Sequence, residues 1–528
     1  MTTPAVQGPG TGAPPEPRPD LPPDVAPARP LDGAQPRLGL PRLGLRGAAL
    51  LVALVTLAVG LAGLGVRATH GGQASVDEPQ YLLSALSLAE DADLDLTDEL
   101  RDRRWRAFSD VPLPVQTQVQ PDGSRLSPHD PLLPVLLAVP MGLGGFLAAK
   151  AALVLLAAVT AALTLWVAVR RFRVPVGLAT AGVALAFASP PLAVYAHQVY
   201  PEIPAALAVV GAVAALTGRL GRGGPVALGV AVVALPWLGV KFAPVAAVLA
   251  VVGLVRLVRA RRVRGASALA GGLALAGIVY LAVHQAVWGG WTVYASGDHF
   301  TSTGEFSVVG VEPDYLGRSL RLVGLLVDRG FGIAAWQPAW LLVVPALAVL
   351  LRRRVTGVGV LGLPVLAGWL VATYVALTMH GFWWPGRQVV VVLPVALLLV
   401  LVCLARLDAS GAPWARRLRV FAGALAVAGV VTMLALLVDG WAREITWVVG
   451  FENVDDPLYA ARRVLLPDYR GDGLGLWARH VAWTIGVLAC AALAWRSTAT
   501  SREPPPDRPL PVPTPEPLTS PDRRKGTP

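Results

Sequence analysis

Between Arg46 and Val66 the chain reads RGAALLVALVTLAVGLAGLGV, and a little farther on comes Asp77-Glu78-Pro79-Gln80-Tyr81. The first stretch has no charge after Arg46. At a rise of about 1.5 Å per residue it is long enough, as a helix, to cross a hydrocarbon layer of about 30 Å. The adjacent carboxylates of Asp77 and Glu78 therefore emerge at a bilayer surface. Similar apolar runs recur along the chain, which is 54% hydrophobic and only 15% charged over 528 residues. That composition excludes a soluble domain and reads as an all-α polytopic membrane protein.

Spans are expected near 46–66, 147–169, 174–195, 201–218, 225–239, 240–258, 266–288, 336–351, 358–378, 387–404, 419–438 and 479–495. Arg clusters mark alternate ends: Arg170-Arg171-Phe172-Arg173, Arg219 with Arg222, Arg256 to Arg264, Arg352-Arg353-Arg354, Arg406 to Arg419, and Arg496. The positive-inside rule then predicts about twelve crossings with both termini cytoplasmic. The 225–258 region decides the orientation of everything after it. Two short spans split at Pro236-Trp237 keep the Arg256–Arg264 loop inside, whereas one long helix would invert the rest.

Residues 1–45 and 496–528 are Pro-rich and aperiodic, so both are expected to be disordered cytoplasmic tails flanking a transmembrane domain at 46–495. The first span lacks a small-residue cleavage site and reads as a retained anchor. Within the first outer loop, 67–146, the apolar stretch from Asp130 to Gly145 is interrupted by Pro131, Pro134 and Pro140. It suits a membrane-surface or re-entrant segment, as does Tyr81 to Ala89.

The net charge of +11 is concentrated in loops between spans, which is a topology signal and gives no support to nucleic-acid binding. Arg far outnumbers Lys, which occurs only at Lys150, Lys241 and Lys525, a bias that suggests a GC-rich bacterial genome and a plasma-membrane location. Cys403 and Cys490 lie in apolar runs, where a thiol packs as a small hydrophobe.

The acidic pair has a structural and a chemical reading. Asp77 can cap a helix, with Pro79 in the first turn and Gln80 completing a capping box. The same helix end would also keep a carboxylate ionised and able to act as a general base. Cations at the outer ends of helices, Lys241, His380 and Arg387, are candidate phosphate contacts. Arg387 leads them because a guanidinium presents a planar fork to phosphate oxygens.

Asp77-Glu78-x-x-Tyr81 just after the first span resembles the first-loop signature of the GT-C glycosyltransferases, multi-spanning enzymes that take sugars from polyprenyl phosphates. Ser127-Pro128-His129-Asp130-Pro131-Leu132 is similar to the His-Pro-Pro-Leu stretch of the protein O-mannosyltransferase branch, with Asp130 in place of the first Pro. Tyr200-Pro201-Glu202 and Trp383-Trp384-Pro385-Gly386-Arg387, which leads into Leu393-Pro394, add two further likenesses. Aminoarabinose transferases share this plan, and the resemblance spans most of 46–495.

The resemblance implies a GT-C-like helical bundle with membrane-surface helices in the first loop. It also implies an inverting transfer from a polyprenyl-phosphate sugar to a glycan, lipid or protein acceptor, with Asp77 as base. Glu78 and Glu202 would assist, and Tyr81, His129, Lys241, His380 and Arg387 would bind substrate. A divalent cation held by Glu78 and Glu202 is left open. No residue is assigned as a metal ligand, since neither His129 nor His197 has ligand spacing. The loop from Trp288 to Gln337, with Asp298-His299, Glu305, Glu312 and Asp314, is a candidate acceptor cover.

Two rival readings remain: a secondary transporter, for which twelve spans are also suitable, and a noncatalytic lipid-carrier-binding protein of the same fold. Transporters tend to show internal repeats and polar broken helices at the midplane, whereas the charges here cluster at outer helix ends.

Overall fold

The computed structural model describes residues 44–113, 116–218, 221, 223–291, 314–411 and 413–497. The expected tails, apart from a residue or two at their inner ends, lie outside these residues, as do Asp298-His299, Glu305 and Glu312.

Each of the twelve predicted spans coincides with a helix. Eight of these helices are long and apolar enough to cross a membrane: Leu45–Gly63, Leu132–Phe172, Val240–Arg259, Val263–Trp288, Val358–Val375, Val390–Ala409, Ala415–Trp441 and Leu474–Ser497. The other four, Val176–Phe187, Glu202–Leu216, Gly223–Leu238 and Pro338–Arg352, are equally apolar but shorter. Sequence hydropathy locates all of them because burial in lipid is a property of each segment by itself. The molecule is a polytopic helical membrane protein. Its most enclosed span is Val390–Ala409, in which every residue from Val390 to Leu404 is buried among its neighbours.

Two breaks shape the region around the charged loops. The 225–258 region is indeed two helices, and the chain turns at Gly239, where the 225–239 and 240–258 spans meet, while Pro236 lies inside the last turn of Gly223–Leu238. The next N–H, of Val240, is taken by the Asp130 carboxylate at 3.1 Å. The second break is at Gly144 and Gly145. Gly145 has φ 64° and ψ −159°, a conformation open to glycine and strained for other residues. It separates the 132–143 segment from the long span that follows. Val135, Leu136, Val139 and Leu143 on that segment are exposed, as expected for a helix that meets lipid along one side.

The rest of the first loop is built from the short helices Glu78–Glu90 and Thr97–Arg101 and a two-stranded ribbon, Gln118–Val119 with Arg125–Leu126. Helix Leu45–Gly63 ends against the Gln198 region by a close approach. A Cβ on Gly63 would fall on the His197 ring, and the Gly63 carbonyl accepts from the Trp447 indole at 3.3 Å. His197 is fully buried, 5.0 Å from the Trp447 ring, and burial pulls its pKa down to about 3, so it is a neutral packing residue. Gly63→Ala is therefore expected to destabilise by roughly 1–3 kcal/mol through overpacking. Thermal unfolding followed by intrinsic fluorescence would measure it, and an unchanged Tm would show that the contact yields freely.

Candidate active site

Pro79 opens the Glu78–Glu90 helix and leaves Asp77 at its N-cap position, yet the Asp77 side chain makes no capping bond, so the expected capping box does not form. Its carboxylate instead receives the Arg387 Nη2 at 2.6 Å. Glu78 turns the other way, accepting the N–H of Ser75 at 3.0 Å and of Val199 at 2.7 Å. Lys150 lies 3.9 Å from it and donates to the Gln73 carbonyl at 2.6 Å. The two neighbouring acids thus divide their work. Glu78 clamps the first loop to the turn before Glu202–Leu216, which leaves Asp77 facing a cation.

Glu202, in the first turn of its helix, is fully buried. Its Oε1 accepts from Lys241 Nζ at 2.6 Å and from Arg387 Nε at 3.2 Å. Arg387 therefore bridges Asp77 and Glu202, with its guanidinium 4.1 Å from the centre of the Tyr200 ring and 5.5 Å from that of Trp383. Guanidinium over aromatic faces is held flat with its donors aimed outward in a fixed fork. Two carboxylates and two cations from four separate parts of the chain thereby meet in one cluster.

Tyr81 and His129 form a stacked pair beside it, with ring centres 4.6 Å apart. Burial pushes the Tyr81 hydroxyl well above its ordinary value and pulls His129 below its own, which keeps both neutral around pH 7. Burial also acts to raise Asp77, but the Arg387 guanidinium, with Lys241, outweighs it and holds the carboxyl down at about 2. Asp77 is therefore ionised at any working pH.

Asp130, the departure from the family stretch, anchors the loop. It accepts from the Tyr280 hydroxyl at 2.8 Å and the Val240 N–H at 3.1 Å, with His284 Nε2 at 3.3 Å. Asp130→Ala would strand these donors and should cost roughly 1–3 kcal/mol. Because the bond to Val240 positions Lys241, the variant should also weaken whatever the cluster binds. Chemical denaturation together with ligand titration would test both effects, and wild-type values in each would exclude the anchor role.

Beside this anchor a cavity of about 880 Å³ opens between Gly223–Leu238 and Val263–Trp288, lined by apolar residues that include Leu132, Val226, Val230, Trp237 and Leu273. Trp237 lies edge-on to Tyr280, with ring centres 4.8 Å apart. The cavity thus adjoins the Asp130 corner, a short step along the chain from Lys241.

Of the residues singled out from sequence, Asp77, Glu202, Lys241 and Arg387 come together, and Tyr81 and His129 flank them. Glu78 serves the backbone. His380 is placed on Asp328, at 3.4 Å, and against the Phe331 ring, with no contact to the cluster among the described residues. Glu78 is turned to the Ser75 and Val199 amides, and Glu202 uses Oε1 for Lys241 and Arg387, leaving its buried Oε2 without a partner among the described residues. The sequence reading missed Lys150, Tyr280 and His284. The signal for Lys150 was its rarity, a lysine inside an apolar span. Tyr280 and His284 sit four apart, on one face of their helix.

No protein-family model matches the chain, and no curated protein does. Among solved structures the chain is similar to ArnT from Cupriavidus metallidurans bound to undecaprenyl phosphate, at 16% identity and a TM-score of 0.42, covering 86% of this chain and 79% of that one. The apo form of the same protein gives 16% identity and a TM-score of 0.44, over 85% of this chain and 78% of the other.

Proposed function

We propose that the protein is a membrane glycosyltransferase, in which a sugar passes from a polyprenyl phosphate to an acceptor hydroxyl with inversion at the anomeric carbon. The observation that carries this reading is the position of Arg387. A fork suited to phosphate is bonded directly to a carboxylate suited to take a proton, while an apolar cavity suited to a lipid chain lies at the Asp130 corner of the same loop.

In this reading the donor phosphate competes with Asp77 and Glu202 for Arg387 and Lys241. Once Asp77 loses its cation, burial raises its affinity for protons just as the acceptor arrives. The hydroxyl oxygen attacks the anomeric carbon and its proton goes to Asp77. The bond from that carbon to the phosphate oxygen breaks, and polyprenyl phosphate leaves with the electron pair, held by Arg387 and Lys241. Because the displacement is direct, no second carboxylate nucleophile is needed. Tyr81 and His129 offer a neutral flat wall for the sugar, and Glu202 keeps the two cations in place.

The site is proposed to face the outer side of a bacterial plasma membrane, with 1–45 and 496–528 as cytoplasmic tails around the 46–495 domain. The Arg-rich turns support that orientation. Single cysteines introduced near Asp77, Glu202 and Arg387 in a Cys-free variant should all react with an impermeant reagent applied from outside; protection of all three would invert the topology.

Incubation of the purified protein with a panel of polyprenyl-phosphate sugars tests the activity itself. Transfer or release of a sugar from one of them supports the reading. Solute uptake into vesicles without sugar chemistry would favour a transporter, and tight donor binding without turnover a noncatalytic carrier protein.

A further inference from the structure

Between Glu90 and Asp102 the first loop carries seven acidic residues. Four have partners that explain them. Glu90 pairs with Arg104 at 2.6 Å and Asp102 with Arg101 at 2.9 Å. Asp93 accepts from the Ser87 hydroxyl and the Asp95 N–H, and Asp95 from Thr97 and the Arg125 N–H. The three that remain, Asp91, Asp98 and Glu99, are the ones that converge: they can each offer a carboxylate oxygen, all within 4.8 Å of one another.

Glu99 is the telling member. It is 2% exposed, and neither of its carboxylate oxygens has a hydrogen-bond partner among the described residues. A buried carboxylate without a donor is costly, and here two more acids lie within 4.8 Å of it. We propose that Asp91, Asp98 and Glu99 bind a calcium ion. The donor set is all carboxylate oxygen, which suits a hard cation. Calcium accepts irregular geometry at 2.3–2.6 Å and completes its shell with water, whereas magnesium demands near-ideal octahedral ligands. The mixture of one exposed, one half-buried and one buried ligand leaves the open side of the ion to solvent.

The site lies at the end of the Glu78–Glu90 helix opposite Asp77, roughly 20 Å away at 1.5 Å per residue, so the ion would secure the helix and take no part in chemistry.

The test uses the full-length protein, stripped with a chelator and followed by thermal unfolding at matched ionic strength. Calcium should raise Tm with an apparent Kd of roughly 10⁻⁴–10⁻³ M, the range of weak extracellular calcium sites. Glu99→Gln should lose the response. Asp91→Asn, at an exposed position that leaves folding untouched, should weaken it by roughly tenfold or more. The proposal is overturned if wild type shows no response well above that range, if both variants respond like wild type, or if magnesium acts as strongly as calcium. The readout is stability and not sugar transfer, so this result and the glycosyltransferase assignment stand or fall separately.

Discussion

Asp77→Asn should lower sugar transfer by a factor of roughly 100 to 10,000, the range typical for losing a general base. The amide keeps the shape of the side chain and can still accept a hydrogen bond from Arg387, so the protein should fold. It cannot take the acceptor's proton. Donor binding should survive or improve, because Arg387 is bonded to Asp77 at 2.6 Å and a neutral Asn competes less with phosphate for the guanidinium. The expected pattern is a collapse of kcat with an unchanged or smaller donor Kd, measured by single-turnover transfer and lipid-phosphate titration. Near-normal turnover by a stable variant would sink the assignment of Asp77 as base.

Removal of Arg387 should be more damaging to the fold. Asp77 and Glu202 are both largely buried and both bonded to it, at 2.6 and 3.2 Å. Breaking a buried pair by deleting one partner typically costs roughly 3–5 kcal/mol, because the remaining charge is left without compensation. Arg387→Ala should therefore lower stability by that order as well as weakening donor binding, whereas Arg387→Lys should recover part of the stability and little of the affinity. A lysine restores the charge but has no planar fork.

The pH dependence distinguishes this ion pair from simple packing. In wild type the Asp77 carboxyl is depressed from its ordinary 3.8 to about 2, so its contribution, on the order of 2 kcal/mol, is complete above about pH 4 and fades as pH falls toward 2. Without Arg387, burial acts with less opposition and the carboxyl rises, which reverses the sign: stability should then fall as pH climbs toward neutrality. Denaturant midpoints of wild type and Arg387→Ala between pH 5 and 8 would show it. Parallel curves would mean that Asp77 is not charged through this pair.

The same cluster marks where local reading ends. Asp77, Glu202, Lys241 and Arg387 were visible in the sequence because a charge at the edge of an apolar span is rare and costly, and so conspicuous. The twelve helical segments were legible for a related reason, since hydropathy over about twenty residues depends on the segment alone. What each charge does was not legible. Asp77 and Glu78 are adjacent and chemically alike, and only the tertiary structure sends one to Arg387, 310 positions away, and the other to the Ser75 and Val199 amides. His380 and Arg387 are close in sequence with similar flanks, yet one is drawn to Asp328 and the other to the cluster.

The spans 225–239 and 240–258 meet at the turn, but the split was tied to Pro236, because a proline tolerated in a helix's last turn and one that ends a helix look the same from sequence. At the turn itself, Gly239, the next amide is bonded to Asp130, 110 residues earlier. By itself, then, the sequence determined that this chain crosses a membrane many times and which few charged residues stand at the ends of its spans, because transfer into lipid is settled segment by segment. The pairing of those charges was decided only by the folded bundle, because partner choice depends on which helix ends packing brings within 3 Å, and no local pattern encodes that distance.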